Sequence, residues 1–150
     1  MMIDGRWLSV RRNDPRVFAL FRRHYSSEKN WRWRATGDTN VLGPGECMVL
    51  LTACERAAFA WQRNTVERFD HQHGVCCTLF RNEGAGLSSA LIREACELAE
   101  CRWPGQRQFT YVDPQKIRHK RDPGRCFLKA GWRRAGESNT GLVLLERFPD

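Results

Sequence analysis

The sequence predicts a mixed α/β fold: a mostly antiparallel central sheet flanked by helices, with one parallel strand-helix-strand unit. Three observations predict it. The apolar runs in "CMVLLTACERAAFAWQR", "GVCCTLF", "QFTYVD" and "GLVLLERF" have the length and composition of strands. A helical apolar spacing follows "GVCCTLF", and "QFTYVD" comes next, which is the order of a parallel crossover. The 150 residues fit one domain, 1–150, and bury roughly two-thirds of the unfolded surface, enough for a core without disulfide or metal.

The elements follow in order. "NDPRVFALFRRHYS" reads as the first helix, with Asp14 as cap, Pro15 in the first turn and Val17, Leu20, Phe21 and His24 at helical spacing. "SSEKNWRWRATGDTNVLGPGE" is polar and glycine-containing, a loop or irregular arm. "CMVLLTACERAAFAWQR" divides into two strands at a turn near Ala53 to Arg56. Gly74 to Phe80 is apolar on both faces and therefore a central strand. A helix runs from Leu87 to about Arg102, with Leu87, Leu91, Ala95 and Leu98 inward and Arg93, Glu97 and Glu100 solvated. "QFTYVD" is a strand ended by Pro114, "RCFLKAGW" a short helix and "GLVLLERF" the last strand.

The composition narrows the classes. The formal net charge is +8, and 21 of the 25 cations are arginine, which forks onto phosphate and stacks on bases better than lysine. That balance points to a polyanionic partner, foremost nucleic acid, although a basic surface that binds nothing has the same charge. The first residues hold no apolar run resembling a signal peptide and no stretch reaches the length of a membrane span, so a cytoplasmic location is expected. The seven cysteines contain no C-x-x-C pair and fall mostly in apolar segments, as free thiols of a reducing compartment do.

The chemistry concentrates in "FRNEGAGLSS", Phe80 to Ser89, which follows the central strand and opens the long helix. A helix N-terminus has unpaired N–H groups and a partial positive charge, which suit a phosphate. Gly84 and Gly86 keep side chains out of the way, Ser88 and Ser89 add hydroxyls, and Arg81 adds charge. The spacing Arg81-x-x-Gly84-x-Gly86 resembles the R/Q-x-x-G-x-G/A pattern of the GNAT acyltransferases. The order of elements and the segment "CFLKAGW" resemble the same family across most of the chain.

The resemblance implies a GNAT-like fold that binds acetyl-CoA or a related acyl donor through Phe80, Arg81, Asn82, Gly84, Ala85, Gly86, Leu87, Ser88 and Ser89. Two residues depart from it. Glu83 sets a carboxylate in the phosphate loop, an opposition of roughly 0.3–1 kcal/mol if it faces the ligand. Phe127 stands where a family tyrosine protonates the departing thiolate, and phenylalanine has no proton to give.

Other proton carriers are Tyr111, Asp113 and Cys126. Strand alternation places Tyr111 and Asp113 on one side of the sheet, where phenol and carboxylate suit an amine or a metal. A core tyrosine and a strand-ending aspartate before proline would read the same. Cys126 is a second candidate acid or a packed thiol. "DHQH", Asp70 to His73, has no third metal ligand at a defined spacing and reads as a surface hairpin turn; His24 and His119 define no metal site either. No metal residue is assigned.

Two stretches suit a nucleic-acid strand. Lys116, Arg118, His119, Lys120, Arg121 and Arg125 are six potential cations in ten positions. "NWRWR" interleaves Trp31 and Trp33 with Arg32 and Arg34, a composition that stacks on bases and grips phosphates. Solvated loops with aromatics covering the core share that composition.

"FRNE", "WPGQRQFTYVDPQKIRHKRDPGRCFLKAGW" and "GLVLLE" together resemble, over roughly His24 to Glu146, a family of phage and prophage proteins related to Mom. That resemblance implies DNA as partner and transfer of an acyl-derived group to a nucleobase amine, adenine foremost, protecting phage DNA from restriction in the host cytoplasm. A flipped or single-stranded base would then sit near Tyr111 and Asp113. Two other readings stay open: a conventional acetyl-CoA-dependent N-acetyltransferase of a small amine or peptide, and a DNA-binding protein without catalysis. The donor, a metal requirement and a homodimeric state are open as well.

Overall fold

Asp14 begins the first helix as its side chain predicts: Oδ1 accepts from the amide of Arg16 at 2.8 Å, and Pro15 occupies the first turn. This helix, α1, spans Pro15–Arg22 in a computed structural model that describes residues 6–23, 42, 45–116 and 124–149. The strands are β1 (Trp7–Val10), β2 (Glu46–Thr52), β3 (Ala57–Arg63), β4 (Val75–Asn82), β5 (Gln108–Val112), β6 (Arg133–Glu137) and β7 (Val143–Arg147). Helix α2, Ser88–Arg102, joins β4 to β5, and α3, Arg125–Lys129, precedes β6.

The seven strands form one sheet in the order β1-β2-β3-β4-β5-β7-β6. All neighbours are antiparallel except β4 and β5, which run parallel. Alternation sorts the side chains. Ala57, Phe59 and Trp61 of β3 face α2 and α3, while Ala58 and Ala60 face α1 with Val17, Leu20 and Phe21. Three sheet side chains also bond to carbonyls of α2: Trp7 Nε1 to Leu91, Trp61 Nε1 to Ala95 and Gln108 Nε2 to Cys96, at 2.8, 3.0 and 3.2 Å. They fix the helix on the sheet as well as burying it.

The inward stripe of α2 differs from the expected one. Leu91, Ile92, Ala95, Cys96 and Ala99 are buried, whereas Leu87 is exposed and stands outside the helix as its N-cap. Leu91 and Ala95 of the expected stripe are buried and Leu98 packs against the same core; Leu87 falls off it because the helix begins one residue later. Glu100 also leaves the expected solvated face: Oε1 accepts from the amide of Gly105 at 3.2 Å, while Oε2 is buried. Strand β6 has no counterpart among the elements expected from the sequence. It is a polar, mostly exposed edge strand, "RRAGE", with no apolar alternation to reveal it.

The feature that shapes the site is a bulge. Ala60 pairs with Leu79 but Trp61 pairs with Cys77, so Thr78 is an extra residue in β4. The insertion reverses the phase: Val75 and Cys77 face α2 before it, and Phe80 faces α2 after it. The parallel ladder to β5 covers only Val75–Cys77 against Gln108–Thr110. Thr110 Oγ1 donates to the Cys77 carbonyl at 2.8 Å, where that ladder ends.

Candidate active site

Past the bulge, the facing edges of β4 and β5 carry no ladder to each other. Strand β4 leads out of this gap into the glycine turn and the N-terminus of α2. The turn is organised by one side chain. Asn82 Oδ1 accepts from the amides of Gly84 and Ala85 at 3.1 and 2.9 Å, and Nδ2 donates to the Gly86 carbonyl and to Ser88 Oγ at 2.8 and 2.9 Å. The Gly84 and Ala85 amides therefore face Asn82. Those of Gly86, Leu87, Ser88 and Ser89 donate to no group among the described residues, and no side chain caps the helix.

Glycine is needed at Gly86 because its φ is +148°; a Cβ there would also meet the flexible guanidinium end of Arg6, which lies close against this backbone. Among the described residues no carboxylate pairs with that guanidinium; the backbone amide of Arg6 bonds instead to Glu94 Oε2 at 3.2 Å. A cation with no carboxylate partner among the described residues thus lies against the positive end of a 15-residue helix, an arrangement that an anion would relieve. The sequence held no sign of this, because Arg6 is 80 residues away on the lead-in to β1.

The opposition expected from Glu83 is cancelled by two cations. Arg23, the C-cap of α1, places Nε and Nη2 on its two carboxylate oxygens at 2.8 and 2.9 Å, and Arg81 Nε adds a bond at 3.0 Å. The Arg23 guanidinium first, and Arg81 with it, holds the Glu83 carboxyl below the usual range. Glu83 ties the turn to the end of α1. Phe80 turns its ring into the core, 5.6 Å from Phe59 and 6.0 Å from Phe127, so only its backbone borders the gap. Ala85 packs on the same core, and Ser89 is buried.

Phe127 is buried in α3, edge-on to Phe80 and to Trp132. Cys126 beside it is half-buried against the core, and burial pushes its thiol up. Tyr111 and Asp113 have separate partners. The Tyr111 hydroxyl donates to Asp70 Oδ2 at 3.1 Å, whereas Asp113 Oδ1 accepts from the amide of Gln115 at 3.0 Å. Asp70, read only as part of a turn, is thus the partner of Tyr111. The fold brings them together from β5 and the β3–β4 loop, a pairing that no spacing encodes.

Arg125 begins α3 and is exposed, and Lys116 ends a 3-10 turn at Pro114–Lys116. His24, Trp31, Arg32, Trp33, Arg34, Arg118, His119, Lys120 and Arg121 lie outside the described residues. The described cysteines are all free, with Cys76, Cys77 and Cys96 buried and Cys54 and Cys101 exposed. Among the described residues no group of three His, Cys, Asp or Glu side chains is placed to hold a metal. No described helix is long and apolar enough to cross a membrane.

The fold is GNAT-like. It is similar, over 98% of this chain and 98% of the other, to that of a Bordetella pertussis protein assigned to the GnaT acetyltransferase family, with a TM-score of 0.56 and 14% identity. At that identity the likeness carries the fold alone. No family model matches the sequence, and no curated protein matches it. None of these comparisons reaches the narrower Mom-like resemblance.

Proposed function

We propose that this protein is an acyltransferase using acetyl-CoA or a related thioester donor, with a nucleobase amine in DNA as its acceptor, adenine foremost. The observation that carries the donor half is the turn itself. Among the described residues the amides of Gly86, Leu87, Ser88 and Ser89 have no partner, and the Arg6 cation lies beside them. Together they fit a pyrophosphate. The free edges of β4 and β5 beyond Cys77 and Thr110 fit an extended amide-bearing chain that takes the place of the missing ladder.

The thioester supplies an activated acyl carbon. The residues of this chain bind it and manage protons around it. Phe80, Phe127 and Trp132 form an aromatic cluster in the core, which supports the strand that borders the gap. Phe127 has no proton for a departing thiolate. Cys126, kept protonated by burial, is the candidate donor in its stead.

The acceptor half rests on charge. A net +8 with 21 arginines supports a polyanionic partner, for which Trp31 to Arg34 and the Lys116 to Arg125 segment are the proposed contacts. Protection of phage DNA from restriction is the role that the Mom-like resemblance adds.

Two experiments separate the halves. Calorimetric titration of coenzyme A tests the donor, and no binding overturns it. Mass spectrometry of nucleosides from DNA co-expressed with the protein tests the acceptor and identifies base and group together. Coenzyme A binding with unmodified DNA, and acetylation of a small amine instead, moves the acceptor to that class.

A further inference from the structure

Tyr111 is the first residue of β5 beyond its last β4 partner, so its side chain stands where the gap opens. It lies on the sheet face turned away from α2, packed with Phe109 at 6.4 Å between ring centroids. The β3–β4 loop folds back onto this face. From it, Arg68 sets Nε and Nη2 on the two oxygens of Asp70, both at 2.9 Å, and its guanidinium rests 5.1 Å from the Phe109 ring centre. Asp70 Oδ1 also accepts the amide of Gln72 at 3.1 Å, which leaves Oδ2 to take the Tyr111 proton at 3.1 Å.

The hydrogens in this group are therefore assigned. A carboxylate gripped by a guanidinium fork stays ionised and acts only as an acceptor. A phenol that gives its one hydrogen to that carboxylate offers only lone pairs to any other neighbour. Among the described residues, the titratable and charged groups facing Tyr111 are Asp70 and Arg68 from the loop and Cys76 from β4, and Arg107 lies 5.0 Å from the Phe109 ring centre.

We propose that Asp70, fixed by Arg68, is a positioning residue that makes Tyr111 a hydrogen-bond acceptor at the mouth of the β4–β5 gap, selecting an acceptor substrate that presents an N–H. The inference rests on the acyltransferase reading and deepens it. Tyr111 orients the amine and does not deprotonate it; the amine's proton leaves to water. Hydroxyl acceptors can donate there as well, but they lack the second hydrogen that a primary amine keeps for this contact after attack.

The test uses the full chain in a Tyr25→Phe background, which leaves Tyr111 as the one tyrosine of the two. The phenolate absorbance of that protein should appear only at high pH, toward about 12, and Asp70→Asn should lower the midpoint by removing the carboxylate. Steady-state transfer from acetyl-CoA is then measured with an adenine-containing single-stranded oligonucleotide and with a set of primary amines. Asp70→Asn and Tyr111→Phe should each raise the acceptor KM about ten-fold, the scale of one hydrogen bond, with the acetyl-CoA KM unchanged. Combining them should add little. Tyr111→Phe keeps the ring packed, so it reads the contact even if Asp70→Asn folds poorly. An unchanged acceptor KM in Tyr111→Phe, or an equal rise in both KM values, overturns the assignment alone. Wild-type protein that transfers to no acceptor overturns the acyltransferase reading and this assignment with it.

Discussion

Asn82 and Ser88 face each other across the glycine turn, with Asn82 Nδ2 2.9 Å from Ser88 Oγ. Its two polar atoms make four hydrogen bonds, two given and two received, and so set the path from β4 into α2. Asn82→Ala should lower stability by about 1–3 kcal/mol, since partly exposed bonds count at the low end of about 0.5–1.5 kcal/mol each. N82D keeps the acceptors but loses both donors, and should not restore coenzyme A binding. Urea unfolding and calorimetry check the two effects.

Gly86 and Arg6 give a paired prediction. Gly86→Ala forces a Cβ at φ +148° into the guanidinium, and should cost about 1 kcal/mol or more from the backbone alone. Removing Arg6 in that background should recover only the steric part. Arg6→Gln by itself should weaken coenzyme A about ten-fold at low salt, with the loss shrinking as salt is raised, and leave pantetheine unaffected. Equal losses for both ligands would remove Arg6 from the anion site.

Phe59 is fully buried at the centre of the sheet, 4.7 Å from Trp61, 5.6 Å from Phe80 and edge-on to Trp7. Phe59→Ala should destabilise the protein by about 3–5 kcal/mol, as large-to-small changes in rigid aromatic cores do. Thermal unfolding reads the loss directly.

The Arg68 fork holds the Asp70 carboxyl well below the usual carboxylate range. Its folded value thus lies below the unfolded value of about 3.9, so its stabilisation is complete above that pH and disappears as pH falls through the folded value. The stability difference between wild type and Asp70→Asn should stay level from neutral pH to about pH 5 and shrink below about pH 4. Urea unfolding across that range measures it; a difference that grows on acidification would contradict the fork.

Much of the architecture was legible because it is local. Asp14 and Pro15 announce α1, the break at Ala53 to Arg56 separates β2 from β3, and the run from Gly74 marks β4. Strand β6 was not legible, because an arginine-rich edge strand has neither burial nor alternation. Nor was the bulge at Thr78: one extra residue inside an apolar run leaves the composition unchanged while reversing which side chains face α2.

The sequence by itself determined the order of elements, the glycine turn between strand and helix, and a strongly basic charge, since each depends on neighbours in the chain or on a sum over it. Only the tertiary structure decided the partners: Arg6 on Gly86, Arg23 on Glu83, Asp70 on Tyr111. Those pairs join residues 80, 60 and 41 positions apart. At such separations side-chain contact is set by sheet pairing and by the bulge that redirects β4, and no spacing rule along the chain carries that information.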